Sequence, residues 1–310
     1  MIQQFMRNNL KIIPSYAPTL LYLKLSKENI IEAKIMDFIS AGYIALRDFI
    51  EGYKINSLLL SLADLTSHKK TFYKLSRDLF LWAKIYDIQL ILDSGCLEYY
   101  MIPKNCTSYI GLSSKINDPH TNLKAQLKFS PDVIILPDRP SNMEENIKIL
   151  YMYEIKHLLI EAKRKDIKLA YVIHGIYPLD RIYSNLMKIT KAPLLSYIDY
   201  VCIPEKELNM YKNDEIMEPI SLIHSNLSKE IAVLGIAFLN KNRLSIYRKQ
   251  NIRWCDTIKW NYKVLRLLKG SIICDNIQSL IFSDLVSILK SNLDIMNELV
   301  NNIGRTSNNY

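Results

Sequence analysis

Three aspartates and one histidine follow directly on short runs of apolar, mostly β-branched residues. They are Asp93 in Ile-Leu-Asp-Ser-Gly, Asp138 in Val-Ile-Ile-Leu-Pro-Asp-Arg-Pro, Asp256 in Arg-Trp-Cys-Asp-Thr and His174 in Tyr-Val-Ile-His-Gly. A single aspartate after a strand is ordinarily a helix cap or a turn residue. Several such groups converging on one place have other uses. Two carboxylates flanking a glycosidic carbon can divide the work of nucleophile and general acid/base, and a third can accept hydrogen bonds from the N–H groups of a base edge. The sequence has no His-x-x-x-His, no Cys/His cluster and no tight Asp/Glu triplet, so no metal is expected. It also lacks a glycine-rich phosphate loop, which disfavours nucleoside triphosphate chemistry, and no cofactor is expected.

These residues share a site only if their strands share a sheet edge. Candidate strands at 19–25, 57–62, 88–93, 132–137, 168–174, 198–203, 231–236 and 252–258 alternate with helical patterns, the signature of a mostly parallel sheet. Eight such strands predict an α/β fold of the closed (β/α)8 barrel type, with a doubly wound open sheet as the competing topology. In the barrel, reactive groups stand at the C-terminal ends of the strands, so the four polar residues would meet at one mouth.

Helices are read from apolar stripes and caps. Phe72, Leu75, Leu79, Trp82 and Tyr86 give one stripe over 68–86. Ser141 and Glu144 form a capping box for a helix running to about Lys165, and Pro178 opens another. A last amphipathic stretch, 276–302, carries Leu285, Ile288, Met296 and Leu299 and is expected to dock by apolar packing alone. The division expected is an N-terminal extension with the first barrel elements (1–56), a barrel core (57–260), a C-terminal helical segment (261–302) and a frayed tail (303–310).

A chain of 310 residues accommodates one barrel of about 250 residues with extensions. The formal net charge of +9 favours a polyanionic partner, although AT-rich coding bias also yields Lys- and Ile-rich chains. Arg139, Lys241, Arg243, Arg248, Lys249, Arg253 and Lys259 are the candidate phosphate contacts near the mouth. The five cysteines, 96, 106, 202, 255 and 274, form no CxxC pair and read as free thiols in a reducing, cytoplasmic compartment. Apolar runs such as Leu58 to Leu62 are too short to span a bilayer, and no signal-peptide pattern follows Arg7 and Lys11, so no membrane partner is expected.

Several of these segments, taken together, resemble the queuine/archaeosine tRNA-guanine transglycosylases. Ile-Leu-Asp93-Ser94-Gly95 is similar to that family's Asp-Ser-Gly-Gly strand end, and Lys124 to Asp138 to its helix and strand ending in a base-reading aspartate. Val172-Ile-His174-Gly175 stands where the family has Val-Gln-Gly, and Val233-Leu234-Gly235-Ile236 resembles its Leu-Met-Gly-Val strand. Ile252 to Thr257 is similar to its Asp-Met-Phe-Asp-Cys pattern, and the five segments keep the family's order between about 57 and 260.

The resemblance implies exchange of guanine for a 7-deazaguanine base in tRNA or, in the family's other branch, in DNA. It makes Asp256 the nucleophile that forms a covalent intermediate at ribose C1′ and Asp93 the general acid/base. Asp138 would read the base's Watson–Crick edge beside His174, with Ser94 and Gly95 in the base pocket and Leu234-Gly235 as its apolar wall. The nucleotide would have to be flipped out of its stack. The chain departs from the family at Cys96 and Leu97, at Val201-Cys202-Ile203-Pro204 in place of a Gly-Gly, and at Lys259-Trp260-Asn261 in place of Pro-Thr-Arg. The family's Cys-x-Cys-x-x-Cys zinc site is absent, and Cys274 stands alone. Two readings compete: a non-catalytic barrel subunit that binds nucleic acid or a catalytic paralogue, and an unrelated barrel enzyme whose aspartates are ordinary caps. A homodimer fits the first of these and the active enzyme alike.

Overall fold

The computed structural model describes residues 10–26, 30–101, 113–140, 142–213, 215–236, 241–257 and 280–306, with side chains as far as 298 in the last segment and excepting those of Lys24, Ser113, Ser114 and Lys241. Eight strands, all parallel to their neighbours, close into a barrel in sequence order. They are β1 (Lys11–Tyr16), β2 (Ser57–Ser61), β3 (Gln89–Asp93), β4 (Val133–Ile135), β5 (Lys168–Val172), β6 (Tyr200–Pro204), β7 (Glu230–Leu234) and β8 (Trp254–Thr257). β8 pairs with β1, Ile13 opposite Asp256, which closes the ring. With helices between the strands, this is a (β/α)8 barrel.

Seven of the eight expected strands fall in place. The first does not: 19–25 is helix α1 (Pro18–Leu25), and the strand lies earlier, at Lys11–Tyr16. A short apolar run cannot be assigned to strand or buried helix by periodicity alone, and Pro14 inside the true strand argues against its being one. Pro18 suits the first turn of a helix, and the Asp64 carboxylate accepts a hydrogen bond from Thr19 N at 2.8 Å, a cap that no residue before α1 supplies.

Helix α2 (Glu32–Tyr53) leads into β2, and α3 (Leu62–Leu65) follows it. The next helix, α4, is expected at 68–86 and spans Lys70–Ile85, burying Phe72, Leu79 and Trp82. After β3 come α5 (Cys96–Met101) and α6 (Pro119–Phe129). The helix expected from Ser141 to about Lys165 is two helices, α7 (Met143–Ile149) and α8 (Lys156–Arg164), joined by a tight turn at Tyr153–Ile155. Its cap is Asn142, whose side chain accepts from Glu145 N at 3.2 Å; Ser141 lies outside the described residues. Ile147, Ile149, Leu150, Ile155 and Leu158 are all buried, and one straight helix would point them around its whole circumference. Breaking the helix buries every one of them. α9 (Leu179–Thr190) begins just after Pro178; α10 (Glu205–Leu208) and α11 (Met217–Leu227) follow β6, and α12 (Lys241–Lys249) precedes β8.

The last helix, α13, is expected at 276–302 and runs over Phe282–Thr306, residues 258–279 lying outside the described set. Leu285, Leu289, Leu293 and Met296 form its buried stripe and join the same core cluster as Ile35, Phe38, Ile39 and Leu46 of α2. Packing is not its only tie, as Lys290 pairs with Asp48 and Lys34 Nζ donates to Leu280 O at 2.7 Å. Among the described residues, no helix is long and apolar enough to cross a membrane.

Inside the barrel the two-residue alternation of each strand decides what meets what. Ile13, Leu59, Ile91, Val133, Ile135, Ala170, Val172, Cys202, Ala232 and Trp254 pack there, with Tyr200 and Trp254 in edge contact as a floor. Two residues beyond this layer, on the same inner face, come Ser15, Ser61, Asp93, Pro137, His174, Pro204, Leu234 and Asp256. A polar layer therefore lies on an apolar one. Removing the side chain of Leu289 under α13 should destabilise the protein by about 2–5 kcal/mol in a denaturant titration. A loss below about 0.5 kcal/mol would show that α13 is not docked as described.

Candidate active site

Asp256 sits within β8 and is almost fully buried. Its Oδ2 accepts from Ser15 Oγ at 2.8 Å and its Oδ1 from Gly235 N at 2.7 Å. Gly235 has φ +70°, a conformation that glycine adopts without strain and that turns its N–H back to the carboxylate. Burial pushes the Asp256 carboxyl up to about 6, and the two donors from Gly235 and Ser15 hold it from rising further.

Asp93 ends β3 and remains partly accessible, with Oδ2 accepting from Gly95 N at 3.0 Å. Burial, followed by the charges of Asp138 and Asp256, pushes its carboxyl up to about 7. The Cys202 thiol below is pushed up by burial and then by Asp256, Asp93 and Asp138. Two separate groups thus feel all the acids, and the convergence expected from the strand ends is present in the structure. Gly95 makes the turn after Asp93 possible: at φ +73° a Cβ would stand 2.6 Å from Ala63 N. Ser94, expected in a base pocket, is fully buried, and its Oγ accepts from Cys96 N at 3.3 Å at the start of α5. Leu234 reaches the mouth half-buried, beside Asp256.

His174 lies between two carboxylates. Its Nε2 is 2.8 Å from Asp138 Oδ2 and its Nδ1 is 2.6 Å from Glu207 Oε1. Burial opposes a charge on the ring, but the hydrogen bonds to Asp138 and Glu207 outweigh it and lift the imidazole to about 9. With both ring nitrogens so engaged, His174 serves Asp138 rather than a ligand. Sequence reasoning missed Glu207, although Pro-Glu-Lys-Glu after β6 stands at the same kind of strand end as the aspartates. It missed Ser15 with β1. It also missed Asp64 and Glu98, buried acids beside the site: burial pushes Asp64 up to about 7, and burial, then Asp93 and Asp64, push Glu98 up to about 8.

The expected basic rim is largely displaced. Arg139 is at the mouth, half-exposed and 3.2 Å from Glu145. A cavity of about 280 Å³ opens there, lined by Asn117, Pro137, Asp138, Arg139 and Lys148 among others. Arg243 is instead buried, its guanidinium donating to Leu208 O at 3.5 Å and Asn209 Oδ1 at 3.3 Å, so it holds α12 in place. Arg253 precedes β8 and stands 3.8 Å from Glu230, the first residue of β7, which puts it at the opposite end of the barrel. Arg248 and Lys249 close α12, which runs back toward that same end before β8 begins. Lys241 opens α12 on the mouth side, and Lys259 lies outside the described residues, as do Cys106 and Cys274.

Fold and site together define a (β/α)8 barrel with a carboxylate-lined mouth. No protein-family model matches the chain, and no curated protein matches it. Among the described residues no group of three or more His, Cys, Asp or Glu is arranged to hold a metal ion.

The raised Asp93 carboxyl has a consequence for stability. Its folded value near 7 lies above the ordinary 3.8, so its contribution is complete below about pH 4 and is lost as pH rises through 7. Asp93→Asn should therefore raise the melting temperature relative to wild type at pH 8 and leave it nearly unchanged at pH 4. Equal differences at both pH values in thermal denaturation would contradict the assignment.

Proposed function

We propose that the chain is a nucleic-acid base-exchange glycosyltransferase that replaces guanine by a 7-deazaguanine base in tRNA or DNA. The observation that carries this reading is the gathering of Asp256, Asp93 and Asp138 at one mouth in unlike hydrogen-bonding surroundings. Asp256, held by Ser15 and Gly235 and titrating near 6, is ionised at neutral pH and suits the nucleophile. Asp93, titrating near 7, suits proton transfer in both directions.

In the first half-reaction an Asp256 carboxylate oxygen bonds to C1′ of a flipped-out nucleotide as the C1′–N bond breaks. The bonding pair goes to the departing guanine, which takes a proton from the Asp93 carboxylic acid. In the second half, the Asp93 carboxylate removes the N–H proton of the incoming base, whose nitrogen attacks C1′ and releases Asp256. Asp138 accepts hydrogen bonds from the base edge, and Leu234 offers it an apolar wall. The buried free thiols of Cys96, Cys202 and Cys255 suit a reducing, cytoplasmic setting.

One observation favours a second reading. Of the expected basic set, Arg139 presents its side chain at the mouth, whereas Arg243 is buried and Arg253 stands at the opposite end. A second copy or a paralogous subunit would then supply the phosphate contacts, and the barrel would act as its partner.

Incubation with the right nucleic acid should trap a protein–nucleic acid adduct that survives denaturation. Asp256→Asn should abolish it, because an amide is a far weaker nucleophile. Asp93→Asn should slow turnover about 10²–10⁴-fold. An undiminished adduct in Asp256→Asn would refute the nucleophile, and no adduct from wild type with either tRNA or DNA would favour the partner reading.

A further inference from the structure

Asp138, His174 and Glu207 come from three neighbouring strand ends, those of β4, β5 and β6. Both imidazole nitrogens lie within 2.8 Å of a carboxylate oxygen. A neutral imidazole has one donor and one acceptor nitrogen, so it would set a lone pair against one of the two carboxylates. Either the ring carries both protons, or one carboxyl is protonated and the ring is neutral; the proton count is the same. Imidazole is the stronger base, and Glu207 Oε2 already accepts from Ile176 N at 3.0 Å while Oε1 faces Nδ1. The proton therefore belongs on His174.

We propose that Glu207 is a positioning residue. It clamps His174 as an imidazolium, and His174 in turn fixes Asp138 by Oδ2 so that Oδ1 is left for the N–H donors of a ligand. No described residue donates to that oxygen. The clamp stands on geometry alone; naming the ligand a purine-type base rests on the base-exchange reading. A cation here also answers a need of the site, since three carboxylates meet at the mouth, Arg139 pairs with Glu145, and Arg243 and Arg253 lie elsewhere. The ionisable groups around the clamp are Asp138 after β4 and Glu207 on α10. Asp93 on β3, Cys96 and Tyr100 on α5, Tyr171 on β5 and Cys202 on β6 interact in turn with Asp138, and Tyr211 with Glu207. Burial disfavours the charged ring and the two hydrogen-bonded carboxylates favour it, with a net value near 9.

Glu207→Gln isolates the proton from the fold. The new amide oxygen can keep the bond from Ile176 N, while the amide nitrogen donates to Nδ1 of a neutral ring whose Nε2–H still faces Asp138. The geometry survives, and the imidazolium does not. The experiment is a long-range 1H–15N NMR titration of the 15N-labelled full chain, with the His174 signals assigned through His174→Gln and folding checked by circular dichroism. Wild type should show both ring nitrogens protonated at pH 7 and lose the second proton only near pH 9. Glu207→Gln should lose it at least one pH unit earlier, a tenfold or greater drop in proton affinity. Guanine binding, measured on the same samples, should weaken about tenfold or more in Glu207→Gln, with Asp138→Asn as the reference for loss of the base contact.

A single ring proton on wild-type His174 at pH 7 overturns the clamp whether or not guanine binds. An unshifted titration and unchanged guanine affinity in Glu207→Gln overturn the positioning role. An intact imidazolium in a wild type that does not bind guanine keeps the clamp and removes the base-exchange reading instead.

Discussion

Mutual repulsion among Asp93, Asp138 and Asp256 is the constraint to which the rest of the mouth answers. Each carboxylate is answered differently. Asp256 receives a hydroxyl from Ser15 and the backbone N–H of Gly235, Asp138 faces the His174 ring, and Asp93 has the N–H of Gly95. Like charges in a desolvated site cannot all ionise at no cost. Asp93, raised by burial, Asp138 and Asp256 together, titrates near neutrality, where a group that gives and takes a proton is most useful. The difference in roles follows from the difference in partners.

The fold supplies those partners through backbone turns. Gly95, Gly175 and Gly235, each with positive φ, stand one or two residues beyond Asp93, His174 and Leu234. They let the chain leave β3, β5 and β7 while N–H groups point back toward the mouth, or while a buried side chain stays in place. Below, the apolar layer from Ile13 to Trp254 keeps the barrel interior dry. A dry floor strengthens every interaction among the charges above it. It also raises the cost of a buried charge, as Glu98 and Asp64 show: burial pushes both carboxyls up although each has a hydrogen-bond donor.

Much of this arrangement was legible in the sequence, and the failures have physical causes. Polar residues after β-branched runs located Asp93, Asp138, His174 and Asp256, because alternation along a strand carries its inner face straight into the mouth. β1 was hidden by Pro14, and an apolar helix beside it imitated a strand, so Ser15 went unseen. Glu207 was hidden in a run that reads simply as a helix start. Arg248, Lys249 and Arg253 were misplaced for a reason that the topology itself contains: in a (β/α)8 barrel, residues just before a strand lie at the end opposite the mouth. Arg243 shows that sequence position says little about burial, since its guanidinium holds α12 to the loop after α10. The reaction is a different matter. Base exchange comes from the resemblance of the five segments, and what supports it here is the chemistry of the carboxylates.

Asp93 and Asp256 share one electrostatic site, in which the charge of one is felt by the other. Carboxyl 13C NMR of the aspartates, titrated from pH 4 to pH 9 in wild type and Asp256→Asn, tests it most directly. Asp93 should titrate near 7 in wild type and move toward the ordinary carboxylate value when the Asp256 charge is removed. An Asp93 carboxyl that titrates at the same pH in both proteins would contradict it.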